Sequence, residues 1–310
     1  MHMNSNVNSS TVALLFAGQG NPVIGMGADL WDINKTTKAI WDCASDIAGI
    51  DLRRCCLKGP MNKLIQTRVQ QLAVTAINIS LYSLMREKLE SESIVASCGH
   101  SVGEYSALYA AGVITLEALF KMIDFRARVM DELSKVNRGA MVAVKGVDYL
   151  AMRDLLARSD MELDISCDNS RRQQVIGGAL PALSQFSQKL IADRYETMKL
   201  GVSGAWHTRL MSEGVQPVRD FLAGISIEQP QHEVVMNVTG RPEMNPHEIR
   251  ENLSLHLTHT VKWTDSLEYL LVRKEPVMFI EISNKAYLGL LLNDFSSFSA
   301  QMSLHCRKII

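Results

Sequence analysis

No sign of charge predominates in this chain of 310 residues: 32 Lys and Arg stand against 33 Asp and Glu, and the net charge is −1. Bulk charge therefore offers no attraction to nucleic acid or to an anionic membrane. Long apolar runs are missing too. The stretch Val12–Ala17 is far too short to span a bilayer and runs straight into Gly18-Gln19-Gly20. Met1 to Ser10 holds no Lys or Arg, so neither a signal peptide nor a membrane span is expected. Cys43, Cys55, Cys56, Cys98, Cys167 and Cys306 form no C-x-x-C pair and no dense framework. This argues against a disulfide scaffold and for reduced thiols in a cytoplasm. Neither a G-x-G-x-x-G fingerprint nor a P-loop is present. What remains is 47% hydrophobic and 21% charged, enough to bury one large core with room for a smaller insert.

Apolar periodicity sets out the elements. Val12–Phe16 and Ile94–Cys98 are continuous apolar runs of the kind that form strands buried on both faces of a parallel sheet. Lys35–Ala48 predicts a helix stopped by Gly49, and Gln70–Leu89 a helix with Leu72, Ile77, Leu81 and Leu84 on one face. Glu104–Ala111 predicts a tightly packed helix ended by Gly112. Thr115 suits the N-cap of the next helix, whose apolar stripe runs from Leu116 to Leu133 with Arg126 at its edge. After Asn137 the texture changes. Strands at Ala140–Val144, Gln174–Ile176 and Glu196–Leu200 alternate with helices at Tyr149–Arg158 and Pro181–Asp193. This β-α-β-α-β order predicts a small α+β unit inserted in a larger α/β domain. Met211–Ala223 is expected to be helical, and Glu233–Val238 and Val277–Ile282 to be strands.

Gly99-His-Ser-Val-Gly103 fits G-x-S-x-G between a strand and a helix. Such a turn lifts the serine hydroxyl clear of the sheet, and the helix that follows points backbone N–H groups at a developing oxyanion. The plainer alternative is a serine in a strand–helix loop. A serine nucleophile needs a base. Of the eight histidines, His207 lies downstream in Gly201-Val-Ser-Gly-Ala-Trp-His207, although a lone histidine is more often structural. His256 and His259 lie three apart, which fits a solvated helix face better than a metal site, because no third ligand accompanies them. No Asp or Glu stands out as a third triad member. Gln19, in a loop leaving the C-terminal end of a strand, is either part of a tight turn or a second oxyanion donor. Arg126 is either an ordinary helix-surface arginine or a guanidinium fork for a carboxylate.

The stretch Gly99-His-Ser-Val-Gly-Glu-Tyr-Ser-Ala-Leu-Tyr-Ala-Ala-Gly-Val-Ile-Thr115 resembles the malonyl-CoA:acyl-carrier-protein transacylase family, which includes acyltransferases serving polyketide synthases. Phe16-Ala-Gly-Gln-Gly20 resembles its F-P-G-Q-G opening. Thr67-Arg-Val-Gln-Gln71 resembles T-x-x-x-Q, and Phe125-Arg-Ala-Arg-Val-Met130 resembles the R-G-x-x-M helix. Gly139-Ala-Met141, Asn169-Ser170 with Gln173–Val175, Trp206-His207, Asn237-Val238 and Val261-Lys-Trp263 match further family stretches, so the resemblance covers nearly the whole chain. It implies an α/β-hydrolase-like large domain with a parallel sheet (1–136 and 207–310) and an inserted ferredoxin-like small subdomain (137–206). It further implies Ser101 as nucleophile, His207 as base, and backbone N–H groups of Gln19 and Val102 as oxyanion hole. Arg126 would hold the free carboxylate of a malonyl group, with Gln71, His100, Trp206, Asn169 and His256 around the acyl site. The substrates would be malonyl-CoA and the phosphopantetheine thiol of an acyl carrier protein or polyketide-synthase carrier domain. No resident cofactor or metal is implied, and the protein would act as a monomer without nucleic acid or membrane.

Departures accompany the resemblance. His256 stands where the family has a glutamine whose main-chain carbonyl orients the catalytic histidine. Gly204-Ala-Trp-His207 is an unusual approach to that histidine, and Trp206 would be either packing or a wall against α-branched acyl groups. Cys167-Asp168 replaces a pair that usually contains asparagine, and Ser283-Asn-Lys285 stands at G-P-G-K. Together these point to a divergent, trans-acting, pathway-dedicated enzyme. Two other functions fit the same motifs: a proofreading acyl hydrolase of the same fold, and a non-catalytic carrier-protein-binding subunit. The carboxylate clamp argues against the first, and the retained Ser101, His207 and Gln19 argue against the second.

Overall fold

A computed structural model describes residues 11–89 and 94–310. The expectation for Met1–Ser10 lies outside them. Two sheets organise the chain. The larger has the order β11-β10-β1-β2-β7-β8. Its strands are β1 (Thr11–Phe16), β2 (Ile94–Gly99), β7 (Glu233–Met236), β8 (Arg241–Glu243), β10 (Val277–Ile282) and β11 (Ser303–His305). Only β8 runs antiparallel to its neighbour. The central β1 is buried from Val12 to Phe16, as its unbroken apolar run requires. Helices Lys35–Ala48, Thr67–Arg86 and Leu116–Val136 pack against one another beside it, and the short helix Gly103–Ala110 packs on β1 and β2. The expected helix signals appear. Gly49 caps the first helix at φ 64°, and the Thr115 hydroxyl accepts from Ala118 N at 3.2 Å.

The smaller sheet has the order β6-β3-β5-β4-β9. Its strands are β3 (Gly139–Lys145), β4 (Leu163–Ser170), β5 (Gln173–Ala179), β6 (Glu196–Lys199) and β9 (Val261–Lys262). With helices Tyr149–Ala157 and Leu180–Ala192, the chain order from β3 to β6 is βαββαβ, the ferredoxin-like pattern. The expected β-α-β-α-β order missed β4. That strand ends in Asp168, Asn169 and Ser170, which read as loop residues yet are all buried. They face groups that satisfy them, so polarity there marks an interior site rather than an exit to solvent. The fifth strand, β9, belongs to the later part of the chain and pairs in parallel with β4 at Cys167–Asp168. Two smaller differences concern helix and strand ends. Met211–Gly214 is part of a 3₁₀ turn before the helix Val215–Ala223, and β7 stops at Met236. No helix among the described residues is long and apolar enough to cross a membrane.

Asp168 is a polar staple that ties β4 to β5 and to the helix after β9. Its Oδ1 accepts from Gln174 Nε2 at 2.8 Å on β5 and from Thr264 Oγ1 at 2.7 Å on the helix after β9. Burial raises its pKa from 3.8 to about 6 against the lowering effect of those two bonds. A carboxyl with a raised folded pKa favours folding at low pH, and that contribution is lost as pH rises from about 4 through about 6. Asp168→Asn keeps the accepting oxygen and removes the buried charge. The variant is expected to be more stable than the parent at pH 7.5, on the order of 1–3 kcal/mol, with the gain vanishing near pH 4. Urea unfolding at the two pH values measures it.

Candidate active site

Strand register brings the site together. Phe16 of β1 lies opposite Gly99 of β2 in a parallel pair, so the loops that follow leave the same edge side by side. His100 N donates to Phe16 O at 2.9 Å, closing the junction. There is no room for side chains here: a Cβ on Gly18 would collide with the His100 carbonyl, and one on Gly103 with the Phe16 carbonyl. Ser101 is held at φ 51°, the left-handed conformation of a nucleophile elbow.

Ser101 Oγ lies 2.8 Å from His207 Nε2. His207, also in a left-handed conformation at φ 59°, comes from the segment after the smaller unit. Its Nδ1 donates to the His256 main-chain carbonyl at 2.8 Å. The Nδ1 proton leaves Nε2 as the acceptor, able to take the serine proton. Burial, with Arg126 second, lowers the His207 pKa to about 3, so the ring is neutral at physiological pH. The N–H groups of Gln19 and Val102 find no acceptor among the described residues, which leaves both free to donate.

Arg126 is 2% exposed, against the helix-surface alternative. Its Nη2 donates to Ser101 Oγ at 3.2 Å and its Nη1 to Gln71 Oε1 at 2.6 Å, while its Cζ lies 5.7 Å from the Tyr105 ring centroid. Its Nε has no partner, and no carboxylate forms an ion pair with it among the described residues. Glu104, buried nearby, does not neutralise it: burial raises the Glu104 pKa to about 8.

The other expected residues are distributed as follows. His100 Nε2 lies 2.8 Å from Asn169 Oδ1, and its ring meets Trp263 edge-on at 5.5 Å, so the end of β4 reaches the serine loop. Trp206 is buried. Its Nε1 and the Ser134 side chain both crowd Gly204, and Ser134 is eight residues beyond Arg126 on the same helix, about 12 Å along the axis. That is a packing position. His256 corrects the solvated-face expectation: the helix ends at Leu255, and His256 is fully buried while His259 is exposed. No cluster of metal-ligating side chains occurs among the described residues. A groove of about 600 Å³ opens beside His207, bordered by Arg153, Arg209 and His259.

Two buried supports escaped the residue-by-residue reading. Asn237, at the end of β7, accepts from Ser101 N at 2.8 Å and donates to Gly99 O at 2.7 Å. Glu104 in turn accepts from Asn237 N at 2.5 Å. His256 Nε2 lies 3.3 Å from Asn237 Oδ1, so the residue whose carbonyl holds His207 is tied to the serine turn. Asn-Val at a strand end and Glu after G-x-S-x-G were visible, but nothing in the sequence paired them.

A histidine-bonded serine on a strand–helix turn, at the C-terminal edge of a parallel sheet, defines the serine acyl-transfer class of α/β proteins. Comparison with known proteins sharpens the class. The model of the acyl transferase domain family matches residues 13–296, and the chain belongs to that family of acyltransferases. It is 30% identical over 266 residues to the malonyl CoA-acyl carrier protein transacylase of Bacillus subtilis, covering 85% of this chain and 66% of the relative, just under two thirds. It is 31% identical to the polyketide biosynthesis malonyl CoA-acyl carrier protein transacylase PksC of Bacillus subtilis strain 168, covering 87% of this chain and 92% of the relative. A solved malonyl-transacylase in complex with its type II polyketide synthase acyl-carrier protein superposes with a TM-score of 0.87 at 28% identity, covering 96% of each chain.

Asn237→Ala would leave the buried Ser101 N–H and Gly99 C=O unpaired. The expected cost is about 2–4 kcal/mol of stability, read by denaturant unfolding.

Proposed function

We propose that this chain moves a malonyl-type acyl group from coenzyme A to the phosphopantetheine thiol of an acyl carrier protein, through an ester on Ser101. One observation carries the reading: Arg126 is a buried cation without a carboxylate partner among the described residues, 3.2 Å from Ser101 Oγ. Burying a charge costs several kcal/mol unless it is paired. A substrate carboxylate supplies the missing partner, and an acetyl group does not. The named relatives act on the same acyl group and carrier class, which supports the choice.

In the first half-reaction Ser101 gives its proton to His207 Nε2 and its Oγ attacks the thioester carbonyl. The N–H groups of Gln19 and Val102 receive the oxyanion. Collapse breaks the C–S bond, and the coenzyme A sulfur leaves with the proton from His207. In the second half, the carrier thiol gives its proton to His207 and attacks the ester. Ser101 Oγ leaves and takes that proton back, so the enzyme is unchanged. Pairing of the substrate carboxylate with Arg126 offsets the cation that lowers the His207 pKa, making the base stronger once the correct acyl group is bound.

Gln71 holds Arg126, His100 and Asn169 border the acyl group, His256 orients the base through its carbonyl, and Trp206 supports it by packing. Residues 137–206 are read as the inserted subdomain, to whose sheet Val261–Lys262 adds a strand, and the rest of the described residues as the large domain. All six cysteines are free, which fits a reducing cytoplasm.

Intact-mass measurement after incubation with malonyl-CoA is expected to show one malonyl adduct, absent in Ser101→Ala and discharged by holo carrier protein. Absence of an adduct, or its persistence in Ser101→Ala, defeats the reading. Discharge to water faster than to any carrier indicates the hydrolase instead. Arg126→Ala is expected to lower malonyl loading by at least about 100-fold and to raise the ratio of acetyl to malonyl loading, measured with both thioesters in competition.

A further inference from the structure

Gln70 is 1% exposed and has no part in the chemistry described above. It sits beside Gln71 on the helix Thr67–Arg86, and four hydrogen bonds join the two residues to the serine site. Arg126 Nη1 donates to Gln71 Oε1 at 2.6 Å. Gln71 Nε2 donates to Gln19 Oε1 at 3.5 Å. Gln19 Nε2 donates to Gln70 Oε1 at 2.6 Å. Gln70 Nε2 donates to the Gly20 main-chain carbonyl.

The ends of this chain fix its polarity. Arginine can only donate and a main-chain carbonyl can only accept, so each amide between them has one orientation that satisfies its neighbours. All donors then point the same way, from the guanidinium toward Gly20. Head-to-tail chains of this kind strengthen one another in a buried site. Gln19 is gripped at both its side-chain oxygen and its side-chain nitrogen, and its own backbone N–H is the one assigned above to the oxyanion hole. Gln70 closes the grip by bonding both the Gln19 side chain and the Gly20 backbone.

We propose that Gln70 is a positioning residue that ties the oxyanion loop to Arg126, so that a carboxylate seated on Arg126 fixes the loop in its reactive position. The proposal rests on the malonyl-transfer reading. A bidentate carboxylate holds the guanidinium in one plane, and that plane sets Gln71, Gln19 and, through Gln70, the loop backbone. A misplacement of an oxyanion donor by a fraction of an ångström is costly to the transition state and nearly neutral for substrate binding. The site would thereby use the far end of the acyl group to complete the hole at the reacting carbonyl.

The test is rapid-quench loading of Ser101 from malonyl-CoA and from acetyl-CoA in the full chain, comparing the parent with Gln70→Leu. Gln70→Leu is expected to lower the maximal malonyl loading rate about tenfold, with less than about a threefold change in the half-saturating concentration. Acetyl loading, which leaves Arg126 empty, is expected to fall by less than malonyl loading. In an Arg126→Ala background the further loss from Gln70→Leu should shrink below about threefold, the non-additivity of residues acting as a unit. Should Gln70→Leu fail to fold, Gln70→Met, unbranched and of similar length, carries the same comparison. Parent-like loading in the variant overturns the proposal. So does a loss equal for both thioesters and undiminished without Arg126, which is what a purely structural role produces. A parent enzyme that forms no malonyl ester on Ser101 defeats the underlying reading instead, and the two failures are told apart by the parent alone.

Discussion

A guanidinium taken out of water beside a serine hydroxyl is the constraint around which this molecule is arranged. Arg126 is buried in a helix that packs on two others, and none of the carboxylates among the described residues pairs with it. Its neighbour Asp124 is taken by Arg68 and Arg128, which keeps that charge away from the site. Glu104 is close, but burial holds it largely protonated. The cation is thus left to Gln71, Ser101 and the face of Tyr105. These partners hydrogen-bond or polarise without neutralising, so the charge stays uncompensated among the described residues.

The same charge sets the electrostatics of the reacting groups. It adds to the burial that keeps His207 neutral, and a neutral imidazole is what a serine proton needs. The base is oriented by a main-chain carbonyl rather than by a carboxylate. His256, in a position where the resembling family has glutamine, preserves the carbonyl and uses its ring to lean on Asn237. The position thus keeps a main-chain carbonyl on His207, while its ring ties that segment to the serine turn.

Much of this was legible along the chain. The apolar runs of β1 and β2, the helix caps at Gly49 and Thr115, and the strand–serine–helix turn depend on neighbours within a few residues, and local pattern captures them. The elements that escaped notice depend on distant partners. β4 ends in Asp168-Asn169-Ser170, which look like loop residues until Gln174, Thr264 and His100 supply their bonds. β9 is two residues long and exists only because β4 lies beside it. Helical periodicity put Arg126 at the edge of its stripe, and periodicity alone does not say whether an edge is covered by a second helix.

The sequence by itself determined that a serine stands on a strand–helix turn, because the turn, its glycines and the flanking apolar runs are contiguous and their geometry is local. Only the tertiary structure decided the rest. His207, 106 residues from Ser101, comes within 2.8 Å of it, Arg126 loses its solvent, and Gln19 is gripped by two glutamines some fifty residues away. Distances of that kind come from sheet register and helix packing. Burial, not residue type, strips an arginine of its solvent and keeps a histidine neutral.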